Sequence, residues 1–380
     1  MLRHSVSAAI AVLLVGSIAG VSAQEPAGVA IHGFGGWTFG DTDVNRFLGS
    51  GPEGEFSKSN FAVKLTANTE ASVQVHAQFF FRNAFDGSTT SLDYAFADWR
   101  LDNALGVRVG KVKHPFGIYS EVTGLGTVRP FLNLPQAVYG PIALVSKSYR
   151  GVGVGGSIPF GVGWTLEYDV YGGGIEFEQE ESALAILTSP AADSTVGGRL
   201  FESREVIGSR VTVQAPFDGL KVGVSAYSGR PESLDPNADR YYTLGGQAEY
   251  VANRTWVRSE VVYQRDRATG LNDRETAYYL EVAQFLGDHW QVATQLSRLS
   301  LDISLPPPVV LPEDFREHEE LALGLNYWVS PQLGFKASVH WVRGNLIAEL
   351  GQADLQQIFL TGISPQPETR LLQLGAQFSF

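Results

Sequence analysis

The chain ends in Leu371-Leu-Gln-Leu-Gly-Ala-Gln-Phe-Ser-Phe380, and the pattern of this segment decides how the remainder reads. Leu372, Leu374, Ala376, Phe378 and Phe380 alternate with Gln373, Gly375, Gln377 and Ser379. A period of two is that of a strand with one apolar face and one wet face. Chain termini ordinarily fray, so a final strand closing on a bare Phe needs a partner on each side.

The same alternation recurs along the chain. Val73, Val75, Ala77, Phe79 and Phe81 oppose Gln74, His76, Gln78 and Arg82. Trp164, Leu166, Tyr168 and Val170 oppose Thr165, Glu167, Asp169 and Tyr171; Phe335, Ala337, Val339 and Trp341 oppose Lys336, Ser338 and His340. Helical spacing cannot give these patterns. Sixteen such segments are expected, at 28–39, 56–66, 72–82, 92–101, 105–113, 149–157, 164–172, 204–214, 220–228, 241–250, 255–265, 275–286, 290–299, 318–329, 332–342 and 370–380. Parity blurs in the first and fourth, where bulges are expected. Short turns are expected after even strands and longer loops after odd ones, including 40–55, 114–148, 173–203, 300–317 and 343–369.

Residues 1–23 read as a cleaved secretory signal: Arg3, an apolar stretch over 8–15, then Val21-Ser22-Ala23. Loss of Arg3 with it takes the formal charge from −12 to −13. Such an acidic chain argues against a nucleic-acid partner. With 0 Cys, an exported chain needs stability from closure or burial. Mean hydropathy of −0.02 is too polar for a helical membrane protein and suits a barrel with one oily face and one wet one. Residues 24–380 are therefore expected to form an all-β, sixteen-stranded antiparallel transmembrane barrel in the bacterial outer membrane. Strands of 9 to 12 residues suit a tilted bilayer crossing. The seven tryptophans, Trp37, Trp99, Trp164, Trp256, Trp290, Trp328 and Trp341, fall near strand ends, as an interfacial girdle requires. Barrel closure would hold the last strand against the first.

Strand number, a long third loop and the final Phe380 together resemble the bacterial outer-membrane porins over essentially the whole mature chain. The stretches Val107–Glu121, Arg129–Gly140 and Ser148–Val154 locally resemble phosphate-selective porins of the O/P-like type. The resemblance implies passive diffusion through a water-filled pore, usually in a homotrimer, and recognition of Phe380 by the barrel-assembly machinery. It implies no cofactor. Lipid and lipopolysaccharide would surround the barrel.

Loop 114–148 is too apolar to stand in water and is expected to fold into the lumen as a constriction, the alternative being a subunit contact. Gly151, Gly153 and Gly155 would let its backbone approach the next strand. Inward parity offers pore-lining candidates: Lys64, Arg82, Arg100 and Arg108 with Asp98 opposing, and Arg129 on the loop. Further round lie Glu167, Asp169, Arg210, Lys221, Glu249, Arg258, Glu260, Glu281 and Lys336. Segregated charge across a constriction would give weak anion selectivity. The alternatives are a channel specific for phosphate or another small anion, and a structural or adhesive barrel. Glu176, Glu178, Glu180 and Glu181 could bridge a divalent ion to lipopolysaccharide, or simply belong to a solvated loop. Lys111 and Lys113 are ambiguous in parity. His318-Glu319-Glu320 reads as a polar rim. No hydrolase, zincin, P-loop or cysteine motif occurs, so no enzyme and no metal site is expected.

Overall fold

A computed structural model describes residues 28–380 except 71, 85–86, 143, 179–199, 218, 232–238, 253, 267–272, 305–311 and 350–364. The proposed leader, Glu180 and Glu181 lie outside the described residues. Among those described, sixteen strands run in order: β1 (Val29–Thr42), β2 (Glu55–Glu70), β3 (Val73–Ala84), β4 (Gly87–Arg100), β5 (Gly106–Lys113), β6 (Ser148–Phe160), β7 (Trp164–Glu178) and β8 (Leu200–Gln214). There follow β9 (Leu220–Pro231), β10 (Tyr241–Ala252), β11 (Thr255–Asp266), β12 (Asp273–Leu286), β13 (Trp290–Asp302), β14 (Glu317–Ser330), β15 (Leu333–Arg343) and β16 (Glu368–Ser379). Each pairs antiparallel with its neighbours in sequence, and β1 pairs with β16, closing the barrel.

That closure explains the chain's end. Phe34 pairs with Ser379, and Gly33 and Phe380 exchange both backbone hydrogen bonds, at 3.0 and 2.8 Å. The final strand is thus held on both edges, and no free edge remains. The Phe380 ring stacks on Phe61 of β2 at 6.2 Å. Leu372, Leu374 and Phe378 point outward and are exposed, whereas Gln373 and Gln377 are buried inside.

Bulges fall in both strands of blurred parity. One lies between Thr38 and Gly40, the other opposite Gln78/Phe79. The second turns the unpaired Asp93 inward, where it meets Gln78 and Lys113. The connection between β3 and β4 departs from the short–long rule: Ala84 pairs with Gly87, so these strands form one tight hairpin. Its polar tip (Gly87–Ser91) has no apolar parity to reveal a strand. Five tryptophans, Trp37, Trp99, Trp164, Trp290 and Trp341, are exposed on the outside. The expected girdle is corrected for the other two. Trp328 is buried and donates to Gln291 at 3.1 Å, and Trp256 packs its ring edge-on to Phe285 beneath Arg258.

Candidate functional site

The segment between β5 and β6 begins with His114-Pro115-Phe116 and enters the barrel at once. Phe116 is fully buried against Gly245 of β10, edge-on to Tyr227 of β9 at 5.5 Å. His114 is fully buried; its Nδ1 donates to Ser146 O at 3.3 Å and its Nε2 accepts from the Tyr171 hydroxyl at 2.5 Å. Burial pulls its pKa down to about 3, with the nearby Arg210 acting in the same direction, so the ring is neutral. Gly117 follows at φ +65, beside the Glu260 carboxylate and the Tyr139 hydroxyl, where a side chain would be both strained and blocked.

Two hubs then fix the segment to the far wall. Glu260 on β11 accepts from Tyr279 at 2.6 Å, Tyr139 at 2.7 Å and the Ile118 amide at 3.1 Å. Glu281 on β12 accepts from Tyr119 at 2.6 Å, and Arg258 donates to the same hydroxyl at 2.9 Å and to Val128 O at 3.0 Å. Both tyrosines of the segment, Tyr119 and Tyr139, are pushed well above the usual phenol range, first by burial and then by the adjoining carboxylates. They remain donors.

Further along, Lys336 of β15 donates to Gly126 O at 2.9 Å, Arg129 O at 2.6 Å and Gln377 Oε1 at 2.6 Å. Arg129 donates to Thr123 O, Phe131 O and Leu132 O. Its burial lowers its pKa to about 10, which leaves it a cation. Asn326 donates to Pro130 O and Asn133 to Gln373. The segment therefore lies inside the barrel, mainly against β1 and the wall from β7 to β16, with Thr123 accepting from Lys113 of β5 at 3.4 Å.

Five candidates, Arg129, Arg258, Glu260, Glu281 and Lys336, are accordingly buried anchors of this segment, at 6%, 7%, 2%, 2% and 3% exposure, and do not face water; Arg258 also pairs with Glu249 at 2.6 Å. The others form two groups. Asp98 lies 3.6 Å from both Arg100 and Arg108. Arg108 also reaches Asp169 at 3.5 Å, Asp169 meets Arg210 at 2.9 Å, and Arg210 meets Glu121 of the segment at 2.6 Å. Glu167 and Lys221 form a looser pair at 3.8 Å, both partly exposed. Lys64 and Arg82 stand half-buried on the inner faces of β2 and β3.

The inward glycines of β6 serve a purpose other than the one expected. A Cβ on Gly151 would strike the backbone of Gly172 and Gly173, one on Gly153 the Tyr149 hydroxyl, and one on Gly155 the Asp169 carboxylate. They leave room for neighbouring strands and for Arg108 to reach across β6 to β7, and the atoms nearest to them all belong to β6 and β7.

A cavity of about 270 Å³ lies between the segment and β7–β11. It is lined by Ile118, Val122 and Val128 on one side and by Glu167, Arg210, Lys221, Gln247 and Glu249 on the other. Its lining mixes both signs, with basic Arg210 and Lys221 on β8 and β9 between acidic Glu167 and Glu249 on β7 and β10, so charge is not segregated there.

Lys111 and Lys113 resolve into structural pairs, with Glu176 at 3.8 Å and Asp93 at 2.7 Å. Glu176 also pairs with Arg150, so this member of the acidic run is neutralised on the barrel. His318 and Glu320 are corrected from rim to interior. Both are buried, and Glu320 pairs with His340 at 2.6 Å beneath Phe47 and Phe131. Tyr119, Glu121 and Tyr139 carry much of the site and were not singled out from the sequence.

No family model matches the chain, and no curated protein matches it. Solved structures do. It is similar to an anion-selective porin from Comamonas acidovorans (10% identity, TM-score 0.53, 93% of this chain and 100% of that one). It is also similar to the outer-membrane channel DcaP of Acinetobacter baumannii (8%, TM-score 0.57, 96% and 100%). A third is the trimer form of OmpT, an outer-membrane protein of Vibrio cholerae (9%, TM-score 0.56, 93% and 99%). At such identities the likeness establishes the fold: the closed sixteen-stranded antiparallel barrel of outer-membrane porins.

Proposed function

We propose that this chain is an outer-membrane channel for passive diffusion of small hydrophilic solutes, with a weak preference for anions. The observation that carries the reading is which wall the folded-in segment covers. It buries the acidic Glu260 and Glu281 under tyrosines, and its contacts fall mostly on β1 and β7–β16, with Thr123 reaching Lys113 of β5 and Gly124 lying near Phe80 of β3. The wall over β2–β5 keeps Lys64, Arg82, Arg100 and Arg108 with Asp98 between them, an excess of positive charge along a water-facing arc. A unit charge at about 6 Å in water is worth roughly 0.7 kcal/mol, about threefold in occupancy. Arg108 is neutralised from both sides, so the preference is small and salt-sensitive.

The local resemblance to phosphate-selective porins does not add a phosphate site to this reading, because its two lysines, Lys111 and Lys113, are spent on carboxylates at the root of the segment. Likeness to the trimer form of OmpT, with a broad apolar outer face, supports a homotrimer in the membrane. The test is planar-bilayer recording across a KCl gradient. An ohmic current with a reversal potential on the anion side is expected. Cation preference would remove the selectivity, and silence would remove the channel in favour of a structural barrel.

A further inference from the structure

The water-facing arc of β2–β5 carries aromatic rings as well as charges. On β3 the inward residues are Gln74, His76, Gln78, Phe80 and Arg82, because Val75, Phe79 and Phe81 are exposed on the outside. Strand register arranges them in rungs. Below Arg82, Phe80 lies level with Ala62 and Phe34, and the two phenyl rings are 6.4 Å apart. On the next rung Lys64 stands opposite Gln78. His76 follows, between Thr66 and Phe96; its ring stacks on Phe96 at 4.9 Å and 29°, and its Nδ1 hydrogen-bonds the Thr66 hydroxyl at 3.2 Å. Asp98 and Arg108 form the rung after that. From Arg82 the wall thus alternates cation, ring, cation, ring, cation, in steps of about 6.7 Å.

Rings on a lumen wall call for a cover, and here the cover is incomplete. Gly124 of the segment sits near Phe34 and Phe80, and Phe96 leans on the buried cluster. Phe34 is buried, yet Phe80, His76 and Phe96 stay half-buried, as does Lys64. Asp98 pairs with Arg100 and Arg108 and leaves Lys64, two rungs away, outside the pairing. A filter for inorganic anions needs the cations alone. A flat aromatic solute also gains from offset stacking on the rings, and its carboxylate from a charge-assisted hydrogen bond to an ammonium. We infer that this ladder is a binding track for small aromatic carboxylates, whose ring lies on Phe80 or on the His76–Phe96 pair while the carboxylate meets Lys64 between them. The inference rests on the channel reading above and names the class of solute this passage favours.

The test compares three carboxylates: benzoate, cyclohexanecarboxylate and acetate. Block of the KCl current by each is measured in planar bilayers for the wild type, Phe80→Leu, Phe96→Leu, the double variant and Lys64→Met. Heat-modifiable gel mobility confirms that each barrel is folded, and saturation-transfer NMR in detergent reads binding without current. Benzoate should bind the wild type more tightly than cyclohexanecarboxylate, which matches it in charge and apolar bulk but has no π face. Each Phe→Leu change should weaken benzoate by about 2- to 10-fold and leave acetate unchanged. Lys64→Met should weaken all three by about threefold. Equal binding of benzoate and cyclohexanecarboxylate by the wild type would overturn the inference, as would a benzoate preference that survives in the double variant. A conducting wild type blind to benzoate would remove the track and leave the channel. A silent wild type whose benzoate binding depends on these rings would remove the channel and leave the site.

Discussion

Replacing Lys336 by Met tests whether the segment inside the barrel is held by discrete hubs. The ammonium is 3% exposed and serves three acceptors, two of them carbonyls of the segment itself, at Gly126 and Arg129. Met has similar length and no donor, so Arg129 O loses its partner in a place that water reaches poorly, while Gly126 O keeps only the Arg129 amide at 3.3 Å. The orphaned carbonyl costs about 1–3 kcal/mol, and the hydrogen bond lost from Gly126 O adds about 1 kcal/mol. Relief of the ammonium's own desolvation offsets part of this, so the net loss is about 1–2 kcal/mol. Gln377 keeps its donation to Leu132 O and limits the damage to one hub. The barrel ladders are untouched, so the loss appears as local opening, not as global unfolding. A loss of about 1–2 kcal/mol raises the undocked population by about 5- to 30-fold. Amide exchange in detergent should show this at Val122, Leu125 and Arg129, whose N–H groups bond within the segment. Lys111→Met, which removes a pair on the outer side of β5, should leave those amides unchanged. Exchange in Lys336→Met within twofold of wild type, in a folded barrel, would show that packing alone holds the segment and refute the hub reasoning.

Three further outcomes follow from the same geometry. Glu260→Ala strands three donors, Tyr279, Tyr139 and Ile118, and should destabilise docking by about 3–5 kcal/mol, whereas Glu260→Gln keeps an acceptor and should cost about half; proteolysis at Tyr139 ranks them. His114 is neutral when folded, with a pKa of about 3, and protonates near 6.5 when exposed. Between those values the undocked state binds the extra proton, so stability is complete above about pH 6.5 and falls as pH drops toward 3, by up to about 1.4 kcal/mol per pH unit. His114→Gln should flatten that slope in thermal melts at pH 7 and pH 4.5, and an unchanged slope would assign acid sensitivity elsewhere. Lys64→Glu reverses one charge on the uncovered arc, and reversal potentials at low salt should move toward cations by severalfold, at about threefold per unit charge. No shift would show that Lys64 lies off the ion path.

The barrel was legible because lipid imposes a rule on each strand separately. Wherever one face must be apolar and the other wet, alternation survives in ten residues, and all sixteen strands lie where it places them. The rule lapses beyond the apolar belt. There both faces meet water, so β7 runs on to Glu178 and β8 starts at Leu200, while the β3–β4 hairpin reads as a loop. Charged wall positions were equally legible as inward. Their partners were not, because Arg108 reaches Asp169 across an intervening strand and Arg210 meets Glu121 from a distant loop. Strand parity gives the direction of a side chain and no more.

One signal of the docked segment was nonetheless present in the sequence. An inward position of a water-filled barrel should be polar, yet Val112, Ile175, Val206, Leu299, Leu301 and Leu371 all face inward toward the long-loop ends of their strands, and all are buried. Leaving an aliphatic side chain of this size in water instead of burying it costs about 1.5–3 kcal/mol. Apolar residues on both faces of a strand therefore mark wall that something must cover. Here Phe116, Val138 and Leu144 of the segment share the cover with Phe47 and Leu346 from other loops. This also decides how the channel should be probed. Deleting 120–140 would do more than widen a passage: it would strip Val138 from that wall together with the acceptors of Arg258 and Lys336. A change in current would then report collapse of the outer lumen as much as loss of a constriction. A substitution at Lys336 releases the segment at one buried point and leaves the apolar cover in place, so its current can be attributed to the segment alone.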